Sequence, residues 1–275
     1  MLIFSVLGAL EINVPGKKIE ISGELQRTLL QTLLVGEGES VSSEALMRRM
    51  WGESMWDVQP NTLYAHISRL RRRLRALEPE RTEPRLTVHP SGYRLALAEG
   101  ELDATEFVRK INSVEAGKFH SPGDSVRLLR EALAMWRGPA FGDAARTPAC
   151  RRAAVRYEAY RLRALELLFG AELENGNHAT ILAELYETHL AHPLHERYCE
   201  LLMIAFYRSG RQADALEIYR RMWRRLADEL GVRPSPQLQR TEQAILSHDP
   251  ALDHPAVPPD ASAPSAPWTR CPVLS

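Results

Sequence analysis

The residues best suited to recognition chemistry lie at positions 60–75, Pro-Asn-Thr-Leu-Tyr-Ala-His-Ile-Ser-Arg-Leu-Arg-Arg-Arg-Leu-Arg. This segment holds five arginines and no carboxylate, although the chain as a whole has a formal net charge of zero. Leu63, Ile67, Leu70 and Leu74 recur at helical spacing, which predicts an amphipathic helix with one buried face. A helix with arginines and small polar groups on the opposite face is typical of an element that enters the major groove of DNA.

The side chains of this helix suit different contacts with DNA. Arg69 is the first candidate for a base contact, because arginine can donate two hydrogen bonds to guanine O6 and N7. Ala65 is small enough to let the helix sit deep in the groove or to contact a thymine methyl group. Contacts with phosphates, which fix register without reading sequence, are predicted for Asn61, Thr62, His66, Arg71 and Arg72. Arg73 and Arg75 fit a phosphate contact or plain solvation equally well.

Three residues outside the helix have more than one interpretation. Trp51 either closes the hydrophobic core or donates its indole N–H to a phosphate. Thr87 and His89 can face the DNA backbone or the minor groove, while His89, next to Pro90, can equally be a turn residue.

Other chemistries find little support. His192, His195 and Cys199 raise the question of a metal site, but Pro193 separates the first from the other two and no fourth ligand is apparent. We therefore expect neither a metal nor a cofactor. Phosphate-binding loops, nucleophile elbows and metalloprotease motifs do not occur in the sequence, so the chain is not expected to be an enzyme.

Charge and hydropathy restrict the partners. Residues 1–97 hold thirteen Lys and Arg against eleven Asp and Glu, so contact with nucleic acid must be focused on one face. The apolar N-terminus lacks a basic leading region and is followed by Glu11, which favours a buried strand over a signal peptide. No apolar run approaches the roughly 20 residues that span a bilayer. A cytoplasmic protein without a membrane partner is expected.

The elements that position these residues follow from periodicity and turn signals. Strands are predicted over Leu2–Leu7, Glu11–Val14 and Ile19–Ile21, with a turn at Pro15-Gly16. Helices are predicted over about 24–35, 42–51 and 60–77, with a loop at 52–59. A hairpin over 85–97 turns at Pro90-Ser91-Gly92. This order predicts a winged helix-turn-helix with an added N-terminal sheet.

The remainder of the chain is predicted to be almost entirely helical, over about 103–117, 122–137, 147–175, 178–191, 194–209, 211–230 and 235–247. A shift of 34 residues superposes Gly176 on Gly210 and six apolar positions on one another, which is the period of tetratricopeptide repeats. The alternative is a coincidence between two ordinary antiparallel helix pairs. The expected fold is mainly α, with an N-terminal α+β winged helix-turn-helix and a C-terminal tetratricopeptide-like helical domain.

Three segments are predicted: a DNA-binding domain over 1–98, a helical domain over 99–248, and a disordered Pro/Ala/Ser-rich tail over 249–275. Several motifs in this order resemble the SARP family, the antibiotic-pathway regulators of actinomycetes. In the first domain they are Phe4-Ser-Val-Leu-Gly-Ala-Leu-Glu11, Gln26-Arg27-x-Leu-Leu, Met50-Trp51-Gly52, His66-Ile-Ser-Arg-Leu-Arg-Arg72 and Pro90-Ser-Gly-Tyr-Arg-Leu95. In the second they are residues 134–143, 193–197, 207–211 and 228–236.

The resemblance implies an OmpR/PhoB-type winged helix followed by a bacterial transcriptional activation domain. It implies base contacts from Tyr64, Ala65 and Arg69, and phosphate contacts from Trp51, Asn61, His66, Ser68, Arg71 and Thr87. His89 stands where the family often has a wing arginine that enters the minor groove. Such proteins activate secondary-metabolite gene clusters. They bind direct repeats near the −35 element as paired protomers and contact RNA polymerase holoenzyme, including its sigma factor.

The resemblance also assigns the polymerase contact to the 52–59 loop, with Glu53, Trp56 and Asp57 as candidates. The loop reads Glu-Ser-Met-Trp-Asp-Val-Gln, whereas the family's loop is often proline-rich. No receiver or ATPase domain is expected. Two other functions stay open: a ligand-responsive repressor that only occupies DNA, and a tetratricopeptide-like adaptor that docks protein.

Overall fold

The computed structural model describes residues 2–118, 121–142 and 147–253. The chain divides into two compact units, one ending at Asn175 and one beginning at Gly176. The first unit contains both sheets and the arginine-rich helix predicted over 60–77, and the second is helical. The mainly helical fold with an N-terminal winged helix is confirmed.

The first unit opens with an antiparallel sheet in the order β1-β2-β3: β1 Ile3–Ser5, β2 Glu11–Val14 and β3 Lys17–Ile19. Val14 pairs with Lys17, so Pro15 and Gly16 form a two-residue turn, with Gly16 at φ 77°. The predicted third strand, Ile19–Ile21, was placed two residues too late. It was placed on apolar residues alone, whereas such a short turn lets pairing resume at the polar Lys17.

The winged helix follows. It comprises α1 Glu24–Val35, α2 Ser43–Trp51, α3 Pro60–Leu77 and a sheet in the order β4-β6-β5, from β4 Ser40–Val41, β5 Leu86–His89 and β6 Gly92–Leu95. β4 was not predicted, because two residues carry no periodicity. Gly92 begins β6 close to β4, its antiparallel neighbour, and a Cβ atom there would approach the Val41 carbonyl oxygen to 2.1 Å. The predicted 52–59 loop is instead a 3₁₀ helix over Gly52–Asp57.

Three further helices belong to the same unit: α4 Asp103–Glu115, α5 Pro122–Leu133 and α6 Pro148–Glu174. The Asp103 carboxylate accepts the backbone N–H groups of Val6 (2.8 Å) and Leu7 (3.1 Å), beside β1. Farther along the chain, the N–H groups of Arg137 and Phe141 donate to the carbonyls of Leu7 and Val6. These bonds attach the start of the helical region to the N-terminal sheet.

One hydrophobic core runs through this unit. Phe4 of β1, Leu30 of α1 and Ile67 of α3 lie in the same buried cluster as Phe107 of α4 and Leu168 of α6. A second link joins Glu37, just after α1, to α6, since the Tyr157 hydroxyl donates to the Glu37 carboxylate at 2.6 Å. The compact units therefore meet after Asn175 in the chain, and the domain boundary predicted at residue 98 falls inside the first of them.

The second unit contains α7 His178–Ala191, α8 Glu196–Arg208, α9 Gln212–Leu230 and α10 Pro236–Leu246. The predicted repeat is visible in its geometry and burial. Gly176 and Gly210 both have positive φ, 80° and 73°, ending the helix before each one. Ile181 and Ala215, 34 residues apart, are both fully buried, as are Leu168 and Leu202.

The predicted tail starts too early at residue 249. A 3₁₀ turn covers Pro250–Leu252, and Asp249 accepts the backbone N–H of Ala251 at its start. Arg208 donates to the Leu252 carbonyl oxygen at 2.8 Å. Residues 254–275, the rest of the predicted tail, lie outside the described residues.

Candidate DNA interface

The recognition helix α3 is phased as the sequence predicts. Its stripe of Leu63, Ile67, Leu70 and Leu74 is at most 3% exposed. The opposite side presents seven exposed residues, Asn61, Tyr64, Ala65, Arg69, Arg72, Arg75 and Ala76. Thr62, Ser68 and Arg71 are half-buried on the flanks. The burial of the leucine stripe thus fixes which side chains a DNA groove can reach.

Local sequence sets where the helices of this motif begin. The Ser42 hydroxyl accepts the N–H of Ala45 at 3.1 Å, capping α2. The α3 helix starts at Pro60, where proline costs a helix least. The first turn of α3 closes with a bond from the Thr62 N–H to the Gln59 carbonyl at 2.9 Å.

His66 lies on α3 between two neighbouring helices. Its Nδ1 atom is 2.9 Å from Nε2 of Gln26 on α1, and the Trp51 ring of α2 meets it edge-on at a centroid distance of 5.8 Å. Burial, together with the nearby charge of Arg69, lowers the pKa of His66. The ring is therefore neutral at neutral pH. Trp51 itself is half-buried against the core.

Two arginines of the helix donate hydrogen bonds to other parts of the protein. Arg71 donates from Nε to the Leu86 carbonyl of β5 at 2.9 Å, which ties the recognition helix to the wing. Arg73 donates to the Ser22 hydroxyl at 2.6 Å, ahead of α1. Arg73 was predicted to be solvated or to contact phosphate, and the structure adds this third role. Arg69, Arg72 and Arg75 are exposed.

The wing places Thr87 and His89 on β5. His89 Nδ1 lies 2.8 Å from the Ser91 hydroxyl, so the ring is bonded within its own turn. Thr87 is half-buried and pairs across the hairpin with Arg94. Val88 is 70% exposed at the wing tip, a feature not predicted from the sequence.

A buried charge cluster supports the base of the wing. The Arg85 guanidinium donates to Glu101 from Nη1 (2.7 Å) and Nη2 (2.9 Å), and also contacts Glu78. Hydrogen bonds from Arg85 lower the pKa of Glu101, against burial, which raises it. The cluster joins the end of α3 to both ends of the hairpin.

The candidate polymerase contact lies in the 3₁₀ segment. Trp56 is 82% exposed, whereas the neighbouring Met55 is 6% exposed and anchors the segment. Glu53 and Asp57 are exposed as well. The three candidates thus lie on one short surface segment between α2 and α3.

Gln26 is a functional candidate that sequence reasoning missed. It occupies the buried stripe of α1 with Leu29, Leu30 and Leu33, at helical spacing. A polar residue in an apolar stripe was the available signal, because a buried amide requires hydrogen-bond partners.

The histidines considered for a metal site have other surroundings. The His195 ring stacks on Tyr198 at 4.1 Å, and Cys199 is buried beside Met203. Among the described residues, no group of three or more His, Cys, Asp or Glu is arranged to hold a metal ion. Within the same residues, no helix combines the length and apolarity needed to cross a membrane.

An acid-free helix exposed on a winged-helix frame defines a DNA-binding protein of the winged-helix class. Comparison with known proteins agrees. Residues 16–95 match the family model "Transcriptional regulatory protein, C terminal", and residues 102–246 match "Bacterial transcriptional activator domain". The chain belongs to the SARP family of transcriptional regulators.

The relatives differ in length. The transcriptional regulator RedD of Streptomyces coelicolor is 39% identical over 253 residues, which cover 92% of this chain and 72% of RedD. The regulatory protein AfsR of the same organism is 39% identical, but the match covers only 24% of AfsR. The regulatory protein DnrI of Streptomyces peucetius is 32% identical, covering 94% of this chain and 97% of DnrI.

A solved structure shows the same fold. Mycobacterium tuberculosis EmbR, in complex with a low affinity phosphopeptide, superposes with a TM-score of 0.81 at 29% identity. The match covers 90% of this chain and 65% of EmbR.

Proposed function

We propose that the protein activates transcription of a secondary-metabolite gene cluster. It binds direct repeats near the promoter −35 element as paired protomers and recruits RNA polymerase holoenzyme, including the sigma factor. The observation that carries this proposal is the acid-free, exposed face of α3 opposite a fully buried leucine stripe. Direct repeats require head-to-tail protomers spaced by about one helical turn of DNA, 10–10.5 bp.

In this proposal the residues that contact DNA fall into two groups. Tyr64, Ala65 and Arg69 face the base edges. Phosphates are contacted by Trp51, Asn61, Thr62, His66, Ser68, Arg71, Arg72 and Thr87. His89 contributes at the wing, where its bond to Ser91 leaves Nε2 as the free ring nitrogen among the described contacts.

The polymerase contact is assigned to the 3₁₀ segment. An aromatic side chain as exposed as Trp56 is typical of a protein interface, and Glu53 and Asp57 beside it supply polar rim contacts. The helical domain, residues 99–248, contributes to the pairing of protomers or to the polymerase contact.

Selection from a random DNA library, followed by footprinting, tests the DNA part. Two copies of one element in the same orientation are expected, and a palindrome or the absence of enrichment would contradict it. In vitro transcription with holoenzyme on a template carrying the site must then rise on addition of the protein. A fall would indicate the repressor, and the lack of a salt-sensitive DNA complex would favour the adaptor.

Arg69→Ala tests the base contact. Binding to the selected site is expected to weaken by about 1–3 kcal/mol, with relaxed preference at one base pair. Arg127→Ala on α5 is the control, since Arg127 is an exposed arginine paired with Glu131 of its own helix. Equal effects of the two substitutions on base preference would remove Arg69 as a base reader.

A further inference from the structure

Gln26 is an anomaly in the core of the winged helix. It lies on α1, which supplies none of the proposed DNA contacts. Gln26 is only 4% exposed, and the buried face of α1 around it is formed largely by leucines. A buried primary amide is costly unless hydrogen bonds replace those it made with water. Its role should therefore be sought in the groups that its side chain contacts.

Both contacts of the Gln26 amide nitrogen are with one residue of the recognition helix. Nε2 lies 2.9 Å from His66 Nδ1 and 3.2 Å from the His66 carbonyl oxygen. A carbonyl oxygen can only accept, so the group facing His66 is the NH₂ of the amide. With an NH₂ donor against it, Nδ1 must accept, and the imidazole proton resides on Nε2.

The ring is also held in orientation. The Trp51 ring meets it edge-on, with an interplanar angle of 71°. Gln26 on one side and Trp51 on another leave His66 half-buried, with Nε2 as the ring nitrogen not used by these contacts. Arg69 on α3, Arg73 on α3 and Glu24 on α1 line the same groove as His66.

The Gln26 contact and the charge of Arg69 both oppose protonation of the His66 ring. A protonated Nδ1 could not accept from Gln26, and the positive charge of Arg69 disfavours a second cation beside it. The ring is therefore preset as a neutral hydrogen-bond donor. Such a donor can bind a phosphate oxygen in one geometry without adding charge.

We propose that Gln26 is a positioning residue for DNA binding, which holds His66 as the neutral Nε2–H tautomer aimed at a backbone phosphate. This rests on the phosphate contact of His66 in the proposed function. The contact fixes the register of α3 in the groove. Because His66 is neutral, it adds nothing to the release of counterions, unlike an arginine on the same face.

Three variants of the full chain test the proposal: Gln26→Leu, His66→Ala and the double variant. Gln31→Leu is the matched control, since Gln31 is 1% exposed on the same helix, whereas the hydrogen bonds to His66 come from Gln26. Affinity is measured by fluorescence anisotropy on the selected site across a salt series. Long-range ¹H–¹⁵N NMR reports the His66 tautomer, and thermal melting reports folding.

Gln26→Leu and His66→Ala are each expected to weaken binding by about threefold to tenfold, with an unchanged salt slope and a double variant no weaker than His66→Ala. The wild-type ring should show the Nε2–H tautomer, and Gln26→Leu a mixture of the two. Gln31→Leu should leave both affinity and tautomer as in the wild type.

A variant that replaces the amide donor by an acceptor, Gln26→Glu, gives a second test. In Gln26→Glu, a carboxylate faces Nδ1 and accepts a hydrogen bond from a protonated Nδ1–H, and its negative charge favours the imidazolium. DNA binding should then strengthen as the pH falls, a dependence that the wild type lacks near neutrality.

The proposal is overturned if Gln26→Leu binds like the wild type, or if it weakens binding without changing the tautomer. It is also overturned if His66→Ala binds like the wild type. In that case sequence-specific binding by the wild type would leave the DNA-binding part of the proposed function intact. Loss of specific binding by the wild type itself would instead remove the proposed function.

Discussion

Arg85 and Glu101 form a buried, two-pronged ion pair, with Nη1 to Oε2 at 2.7 Å and Nη2 to Oε1 at 2.9 Å. Both side chains are at most 6% exposed. The pair connects the start of the wing hairpin to the segment that leads into α4, and Arg85 also donates to the Ala96 carbonyl. The wing is therefore held by charge as well as by strand pairing.

Replacing Arg85 with methionine should destabilise the protein strongly. The substitution leaves Glu101 and Glu78 without their cation, and breaking a buried pair in this way costs about 3–5 kcal/mol. Chemical denaturation followed by circular dichroism measures the loss. Arg81→Met is the control, because Arg81 is a more exposed member of the same cluster, 4.0 Å from Glu78. A similar loss from both substitutions would contradict a special role for Arg85.

The same pair predicts a dependence of stability on acid. The pKa of Glu101 is lowered in the folded protein, chiefly by hydrogen bonds from Arg85, so the unfolded chain binds its proton first. The stabilisation is present above the ordinary pKa of 4.5 and is lost as the pH falls through the folded value. Denaturation at a series of pH values from 7 downward should show this decline. Glu101→Gln should flatten it, and an unaltered profile in that variant would refute the assignment.

The shared core predicts the behaviour of fragments. A fragment ending at residue 98 lacks Phe107 of α4 and Leu168 of α6, which belong to the same buried cluster as Leu2, Phe4 and Leu30. It also loses the Asp103 carboxylate that binds the N–H groups beside β1. We expect this fragment to unfold at lower denaturant than a fragment of residues 1–175, with a broader transition. Equal midpoints would show that the winged helix is independent of the helices that follow.

Periodicity and turn chemistry were sufficient for the long elements. The bounds of α1 and α3 match the predictions because a leucine stripe, Pro60 and Gly36 mark them. The same stripe correctly separated the exposed from the buried residues of α3.

Features that depend on partners distant in the sequence could not be predicted from local periodicity and turn signals. Ser40 and Val41 form a strand only because Arg94 and Tyr93 lie opposite them. The proximity of Gln26 and His66, 40 residues apart, requires α1 and α3 to pack first. The burial of Arg85 likewise depends on Glu78 and Glu101 meeting at one point, which no local pattern specifies.

The core that joins β1 to α4 and α6 also constrains how such regulators can be recombined. Exchanging only residues 1–98 between two family members would pair the Phe4 and Leu30 surface of one protein with the Phe107 and Leu168 surface of another. A hybrid joined after Asn175 keeps Phe4, Leu30, Phe107 and Leu168 from one parent. For this architecture, an exchange of DNA-binding specificity should therefore move the winged helix together with α4, α5 and α6.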